Sequence, residues 1–196
     1  LFAATAGQLA DKYEKSRSIR IIKAIEIAIM SLAVVGYFLE APYFLMAVLF
    51  LMGTQSAFFG PLKYGILPDH LRDNELIGGN ALIEGATFMA ILIGTIVGGL
   101  IILTDNGTEL ISIGVVLFAV LGWAASRSIP EAPAAAPDLK VSFNIASETW
   151  RMIGFARQKK SVFMSVLGIS WFWVVGATFL SQFPNFTKLV LGGDET

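Results

Sequence analysis

The chain has 196 residues, 55% hydrophobic and 15% charged, and its 19 glycines bring the apolar share to roughly 65%, against about 45–50% apolar and about 25% charged in soluble domains. That excludes a disordered chain and disfavours a soluble globular one. The net charge of −1 leaves no basic surplus for nucleic acid, while zero cysteines and a single histidine, His70, exclude disulfide scaffolds, thiolate chemistry and multi-histidine metal sites.

Run length separates a membrane span from a greasy core, because crossing about 30 Å of hydrocarbon takes roughly 20 apolar helical residues. Leu1–Ala10 is uncharged but too short to span. It lacks an initiator Met and the features of a signal peptide, and reads as the last part of a helix. The connection Asp11–Lys23 carries Lys12, Lys15, Arg17, Arg20 and Lys23, and Ala24–Leu39 follows as a span broken only by Glu26. Tyr43–Leu62, Gly85–Thr104, Leu110–Ser126 and Ser161–Phe183 are each free of Asp, Glu, Lys and Arg. Counted over alternate connections, 13 basic residues fall on one side and 1 on the other. The positive-inside rule places the first, third and fifth connections in the cytoplasm. The expected fold is all-α and multi-pass.

The fifth connection, Arg127–Lys160, stands apart. Pro130–Pro137 is a Pro/Ala spacer too stiff and helix-hostile to continue the span before it. Ser142–Arg157 then places Phe143, Ala146, Trp150 and Ile153 at helical spacing, with Glu148, Arg151 and Arg157 elsewhere, as an interfacial amphipathic helix does. The expected organisation is residues 1–126, a linker over 127–160, and 161–196.

Polar groups inside a bilayer are costly and default to functional candidates. Glu84 stands about six residues into its expected helix, roughly 9 Å along it. Asn80, Glu84, Thr87 and Thr95 share one face, with an apolar gap at Ile91. Lys63, near the end of the preceding span, lies at similar depth and is the natural partner of Glu84. Gly60-Pro61 and Gly65 bracket it, as a broken helix would. Gln55 lies mid-span and suits either a ligand or a neighbouring helix. Glu26, three residues after Lys23 and six after Arg20, favours a local ion pair and also suits proton coupling. His70 with Glu75 is a poor acid–base pair for a short loop, and neither a nucleophile elbow nor a P-loop is present. The chain is therefore expected to be no enzyme and to need no metal or cofactor.

Gly7-Gln8-Leu9-Ala10-Asp11-Lys12-Tyr13-Glu14-Lys15-Ser16-Arg17 resembles the G-x-x-x-D-R/K-x-G-R/K loop motif of the major facilitator superfamily, with Glu14 in place of the second glycine. With the loop charges and the long linker, the resemblance implies helices 2–7 of a twelve-helix transporter. It makes Gly7, Asp11, Lys12 and Arg17 a gating cluster, with Asp11 suited to a helix N-terminus and its partner in the other half. Glu14 puts the fine geometry of that loop in question.

Phe58-Phe59-Gly60-Pro61-Leu62-Lys63-Tyr64-Gly65-Ile66-Leu67-Pro68, then Asn80-Ala81-Leu82-Ile83-Glu84 and Gly94-Thr95-Ile96-Val97-Gly98-Gly99, are similar to the lysophospholipid transporter family of Gram-negative bacteria. That resemblance implies movement of lysophosphatidylethanolamine toward the cytoplasmic leaflet of the bacterial inner membrane by alternating access. Glu84, Lys63, Asn80, Gln55, Thr87 and Glu26 would then serve the headgroup or the coupling step, among membrane lipids and beside a phospholipid acyltransferase in cis or in trans. Leu67-Pro68-Asp69-His70-Leu71 is closer to the transporter module of a fused acyltransferase, which keeps a membrane module of that enzyme as one alternative. A facilitator of another small solute is a second.

Overall fold

The computed structural model describes residues 2–142, 144–190 and 192. Among them are eight helices and no strand. Five are long and apolar enough to cross a membrane, so the chain is an all-α, multi-pass membrane protein. It divides into two compact units, Leu1–Ile145 and Ala146–Thr196.

The first unit holds α1 (Ala3–Lys12), α2 (Lys15–Phe38), α3 (Pro42–Gly65), the single turn α4 (Leu67–His70), α5 (Leu76–Ile102) and α6 (Gly107–Ser126). α2 is the centre, packed between α3 and α6, while α1 leans on α3 and α5 on α6. The α2–α3 turn is tight: Glu40 takes φ 48°, and Pro42 opens α3 with the φ a first helical turn needs. At the α5–α6 turn only glycine fits, since a Cβ on Gly107 would collide with the Ile101 carbonyl and lie 2.8 Å from Ile102 backbone atoms. The described core is small and sits at the basic end: Ala10, Ile19, Leu62 and Ile66 pack around Ala132. Most apolar span residues stay exposed, and α5 buries none of its most apolar window, as lipid-facing or helix-facing surfaces require.

Each long helix starts ahead of its uncharged run. α2 starts at Lys15, nine residues ahead of Ala24, because Lys and Arg are good helix formers whose stems lie along apolar surface. α5 starts at Leu76, which puts Glu84 about 12 Å into its helix rather than 9 Å. α3 is not broken at Pro61; it runs through that residue and ends at Gly65.

The Pro/Ala spacer is not a free linker. Residues 129–142 lie as a strap across the basic end of the first unit. The Ile129 carbonyl accepts from Arg20 Nη2 at 2.9 Å, and the Ala132 carbonyl from Lys15 N at 3.0 Å. The Ala132 N–H donates to Glu14 Oε1 at 2.9 Å, the Ala136 N–H to the Asp11 carbonyl at 2.8 Å, and the Ser142 N–H to Gln8 Oε1 at 2.8 Å. Ala132 is fully buried. A proline-rich segment suits this part, because it satisfies few backbone groups internally and offers its carbonyls to neighbours.

In the second unit α7 (Ile145–Arg157) and α8 (Lys160–Leu189) follow closely. Of the expected amphipathic face of α7, Trp150 is exposed and Ile153 half-buried, while Phe143 lies outside the described residues. Glu148 is buried and pairs with Arg151 at 3.6 Å. α8 carries its span six residues beyond Phe183.

Candidate functional site

The last turn of α3 and the first half of α5 bring Lys63 and Glu84 together, 4.0 Å apart. Lys63 Nζ donates to Thr87 Oγ1 at 2.8 Å, and the Thr87 hydroxyl donates in turn to the Ile83 carbonyl at 2.7 Å. The Tyr64 hydroxyl donates to Glu84 Oε1, and the Lys63 ammonium sits 5.0 Å from the Tyr64 ring centroid. Both charged side chains are partly shielded, at 20% exposure for Lys63 and 37% for Glu84. This acid and base are held close without being clamped: the ammonium spends its short hydrogen bond on Thr87, and Glu84 Oε2 has no donor among the described residues. An incoming anion could take Lys63 from Thr87, and a cation could take Glu84 from Tyr64.

The expected polar stripe divides here. Glu84 and Thr87 enter the site, whereas Asn80 donates to the Leu76 carbonyl at 2.8 Å and Thr95 to the Ile91 carbonyl at 2.7 Å, each within its own helix. Sequence reasoning missed Tyr64. Its only signal was an aromatic next to a lysine at a span end, which reads equally as an interfacial anchor.

A second polar cluster joins α2 to α3. Glu26 Oε2 accepts from Lys23 Nζ at 2.9 Å and from Gln55 Nε2 at 2.8 Å, and the Lys23 ammonium lies 4.7 Å from the Phe59 ring centroid. A Cβ on Gly122 of α6 would touch that ammonium at 3.7 Å. The local ion pair expected for Glu26 is thus made by Lys23 and not by Arg20. Arg20 instead caps the end of α6, donating to the Ser126 carbonyl at 3.4 Å as well as to Ile129. A cavity of about 230 Å³ adjoins the cluster. A larger apolar groove of about 920 Å³ lies between α1, α2 and α3, walled by Ile22, Ile25, Ile29, Leu51 and Phe58, with Lys12 and Arg17 among its lining.

In the loop motif Asp11 is exposed in the last turn of α1, not at a helix N-terminus, and its carboxylate has no partner among the described residues. Lys12 lies 5.9 Å from the Tyr13 ring centroid, Arg17 is exposed in the first turn of α2, and a Cβ at Gly7 would meet open space. The acid that caps a helix is Glu14. Its carboxylate accepts from Ser16 N at 3.0 Å and Ser16 Oγ at 2.6 Å, from Arg17 N at 2.6 Å, and from Ala132. Partial burial pushes the Glu14 carboxyl up, but these donors outweigh it and lower the pKa from 4.5 to about 2. Beside it Lys15, nearly buried, pairs with Asp69 at 2.8 Å. Where the motif of the resembled superfamily has a glycine, this chain has a charged anchor. In the α4 region His70 is exposed and Glu75 accepts from the Arg72 N–H at 3.0 Å, a turn contact rather than an acid–base pair.

No family model and no solved structure matches the chain. Curated relatives do. The chain is 30% identical over 200 residues to the lysophospholipid transporter LplT of Serratia proteamaculans, covering 98% of this chain and 46% of that protein. It is 28% identical over 202 residues to the protein of the same name in Salmonella heidelberg, with the same coverage. By sequence, this chain is similar to lysophospholipid transporters. It spans about half the length of the curated relatives it matches. Both relatives are named as lysophospholipid transporters, and the aligned stretch takes in 98% of this chain.

Proposed function

We propose that this chain works in a transporter that moves a lysophospholipid, with a headgroup like that of lysophosphatidylethanolamine, toward the cytoplasmic leaflet of a bacterial inner membrane. The observation that carries the reading is the Lys63–Glu84 pair, an acid and a base at membrane depth that are adjacent but only loosely joined. A phosphate complements Lys63 and an ammonium complements Glu84, so a zwitterionic headgroup fits both at once. Thr87 and Tyr64 hold the two charges while the site is empty, so that neither is left unsatisfied. Asn80, on the same helix one turn before Glu84, is available to the headgroup by releasing its own backbone bond. Glu26 and Gln55 serve at one remove, holding α3 against α2 behind the site. The exposed apolar flank of α5 suits the acyl chain. A major facilitator fold, alternating access between two halves and an Asp11 gate partnered from the other half complete the reading, with a phospholipid acyltransferase as the consumer of the delivered lipid.

The test is uptake of labelled lysophosphatidylethanolamine by spheroplasts expressing the complete gene. Charge-assisted hydrogen bonds are worth about 1.5–3 kcal/mol, and each 1.4 kcal/mol is tenfold. Lys63→Ala and Glu84→Ala should therefore each weaken half-saturation by roughly 10- to 100-fold. Normal uptake in both variants sinks the site, and movement of sugars or drugs in place of lysolipid sinks the substrate.

A further inference from the structure

We propose that the strap at residues 129–142 stays docked on the first unit through the transport cycle, and that Glu14 is the positioning residue through which it shapes the loop carrying Asp11, Lys12 and Arg17. The proposal rests on the transport reading for its functional consequence but on geometry for the docking itself. Strap and loop are hydrogen-bonded in both directions. The Ala132 N–H reaches Glu14, Lys15 N reaches the Ala132 carbonyl, and farther along the Ala136 N–H reaches the Asp11 carbonyl. Lys15 Nζ adds the Pro133 carbonyl at 3.4 Å while paired with Asp69. Arg20 and Gln8 hold the two ends at Ile129 and Ser142.

These contacts join three helix ends through one segment. Glu14 Oε1 is the crossing point, since it receives both the first turn of α2 and the strap. The turn between α1 and α2 is only Tyr13 and Glu14 long, so fixing Glu14 fixes the directions in which Asp11 and Arg17 leave the surface. A glycine at this position would supply backbone freedom. Glu14 supplies the opposite, a conformation locked by a partner more than a hundred residues away. Ala132 fits because it is small enough to lie fully buried among Ala10, Ile19, Leu62 and Ile66, which makes docking a packing event as well as a hydrogen-bonding one.

The chain itself contributes no cysteine, so paired cysteines can be read without background once any cysteine elsewhere in the full-length protein is replaced by serine. In the protein expressed from its complete gene, Gln8→Cys with Ser142→Cys should be joined by a short bis-thiosulfonate reagent, and lysolipid uptake should stay within twofold of the unlinked protein. Glu14→Ala should lower uptake at least fivefold at equal membrane abundance, and linking the same cysteine pair in that background should restore at least half of it. A Glu14 that only stabilised the fold would give no such rescue. Uptake abolished by the link alone, or a Glu14→Ala defect the link fails to repair, overturns the proposal. Amide exchange provides an arm independent of transport and of any variant: the amides of Lys15, Ala132 and Ala136 should exchange at least a hundredfold more slowly than an unstructured chain. Fast exchange there overturns the docking whatever the substrate proves to be, whereas slow exchange with no lysolipid uptake by the parent protein confirms the docking and faults only the transport reading.

Discussion

Replacing Glu14 should separate two contributions that one carboxylate now makes. Its N-cap bonds to Ser16 and Arg17 close the first turn of α2, an interaction typically worth about 1 kcal/mol. Its bond from the Ala132 N–H links segments far apart in sequence; a hydrogen bond to a charged acceptor is worth about 1.5–3 kcal/mol when buried, and about 1 for a half-buried group such as this one. Glu14→Ala should then cost about 2 kcal/mol. Glu14→Asp keeps a good cap but is one methylene too short for Ala132, and should cost about 1 kcal/mol. Glu14→Gln is not benign, because an amide nitrogen in place of Oε2 would face the Arg17 N–H, now 2.6 Å away. SDS titration of the purified protein in mixed micelles, followed by circular dichroism, measures these differences. The sign of the pH dependence follows from the depressed pKa. The ionised form is the one the fold holds, so the stabilisation is complete above about 4.5 and disappears as pH falls toward about 2. The Glu14→Ala protein should lack that loss. A Glu14→Ala cost below 0.5 kcal/mol, by the same scale, or equal costs for Ala and Asp, would refute the two-part assignment.

Asp69→Ala should destabilise by about 3 kcal/mol, because it leaves a Lys15 ammonium whose side chain is only 5% exposed without its counter-charge and with only the Pro133 carbonyl at 3.4 Å. Adding Lys15→Met should recover half or more of that cost in the same SDS titration, since it removes the buried charge as well as its partner. Tyr64→Phe deletes the hydroxyl that occupies Glu84 while keeping the ring beside Lys63. It should change half-saturation of lysolipid uptake by roughly 3- to 10-fold, in line with a partly exposed hydrogen bond of about 1 kcal/mol, without lowering protein abundance.

The membrane character was legible because it depends on residue type and run length alone. The four charge-free runs match four of the five long apolar helices to within two residues at their C-terminal ends or lie inside them, and the broken run Ala24–Leu39 passes the end of the fifth by one residue. Lys63 and Glu84 were legible as partners for a similar reason: both are charges that a bilayer tolerates only near a complement. Helix starts were not, because a charged first turn such as Lys15–Arg17 resembles a loop by composition although Lys and Arg are good helix formers. The role of Glu14 was hidden by chemistry as well as distance. Glutamate is a weak N-cap candidate beside Ser, Thr, Asp or Asn, and its second partner, Ala132, has no side chain that could announce a hydrogen bond. The division of the polar stripe was equally invisible, since helical spacing puts Asn80 and Glu84 on one face without saying which will bend back to its own backbone.

The glycine at position 122 sets a constraint on how relatives of this chain can diverge. A Cβ on Gly122 would already be in van der Waals contact with the Lys23 ammonium at 3.7 Å, so a side chain larger than alanine there presses on Lys23, whose ammonium pairs with Glu26, the acceptor for Gln55 as well. Four positions on three helices are therefore bound into one unit of substitution. Across related sequences Lys23, Glu26, Gln55 and Gly122 should be exchanged as a set: where residue 122 gains bulk, residue 23 should lose its charge, and residues 26 and 55 should turn apolar together.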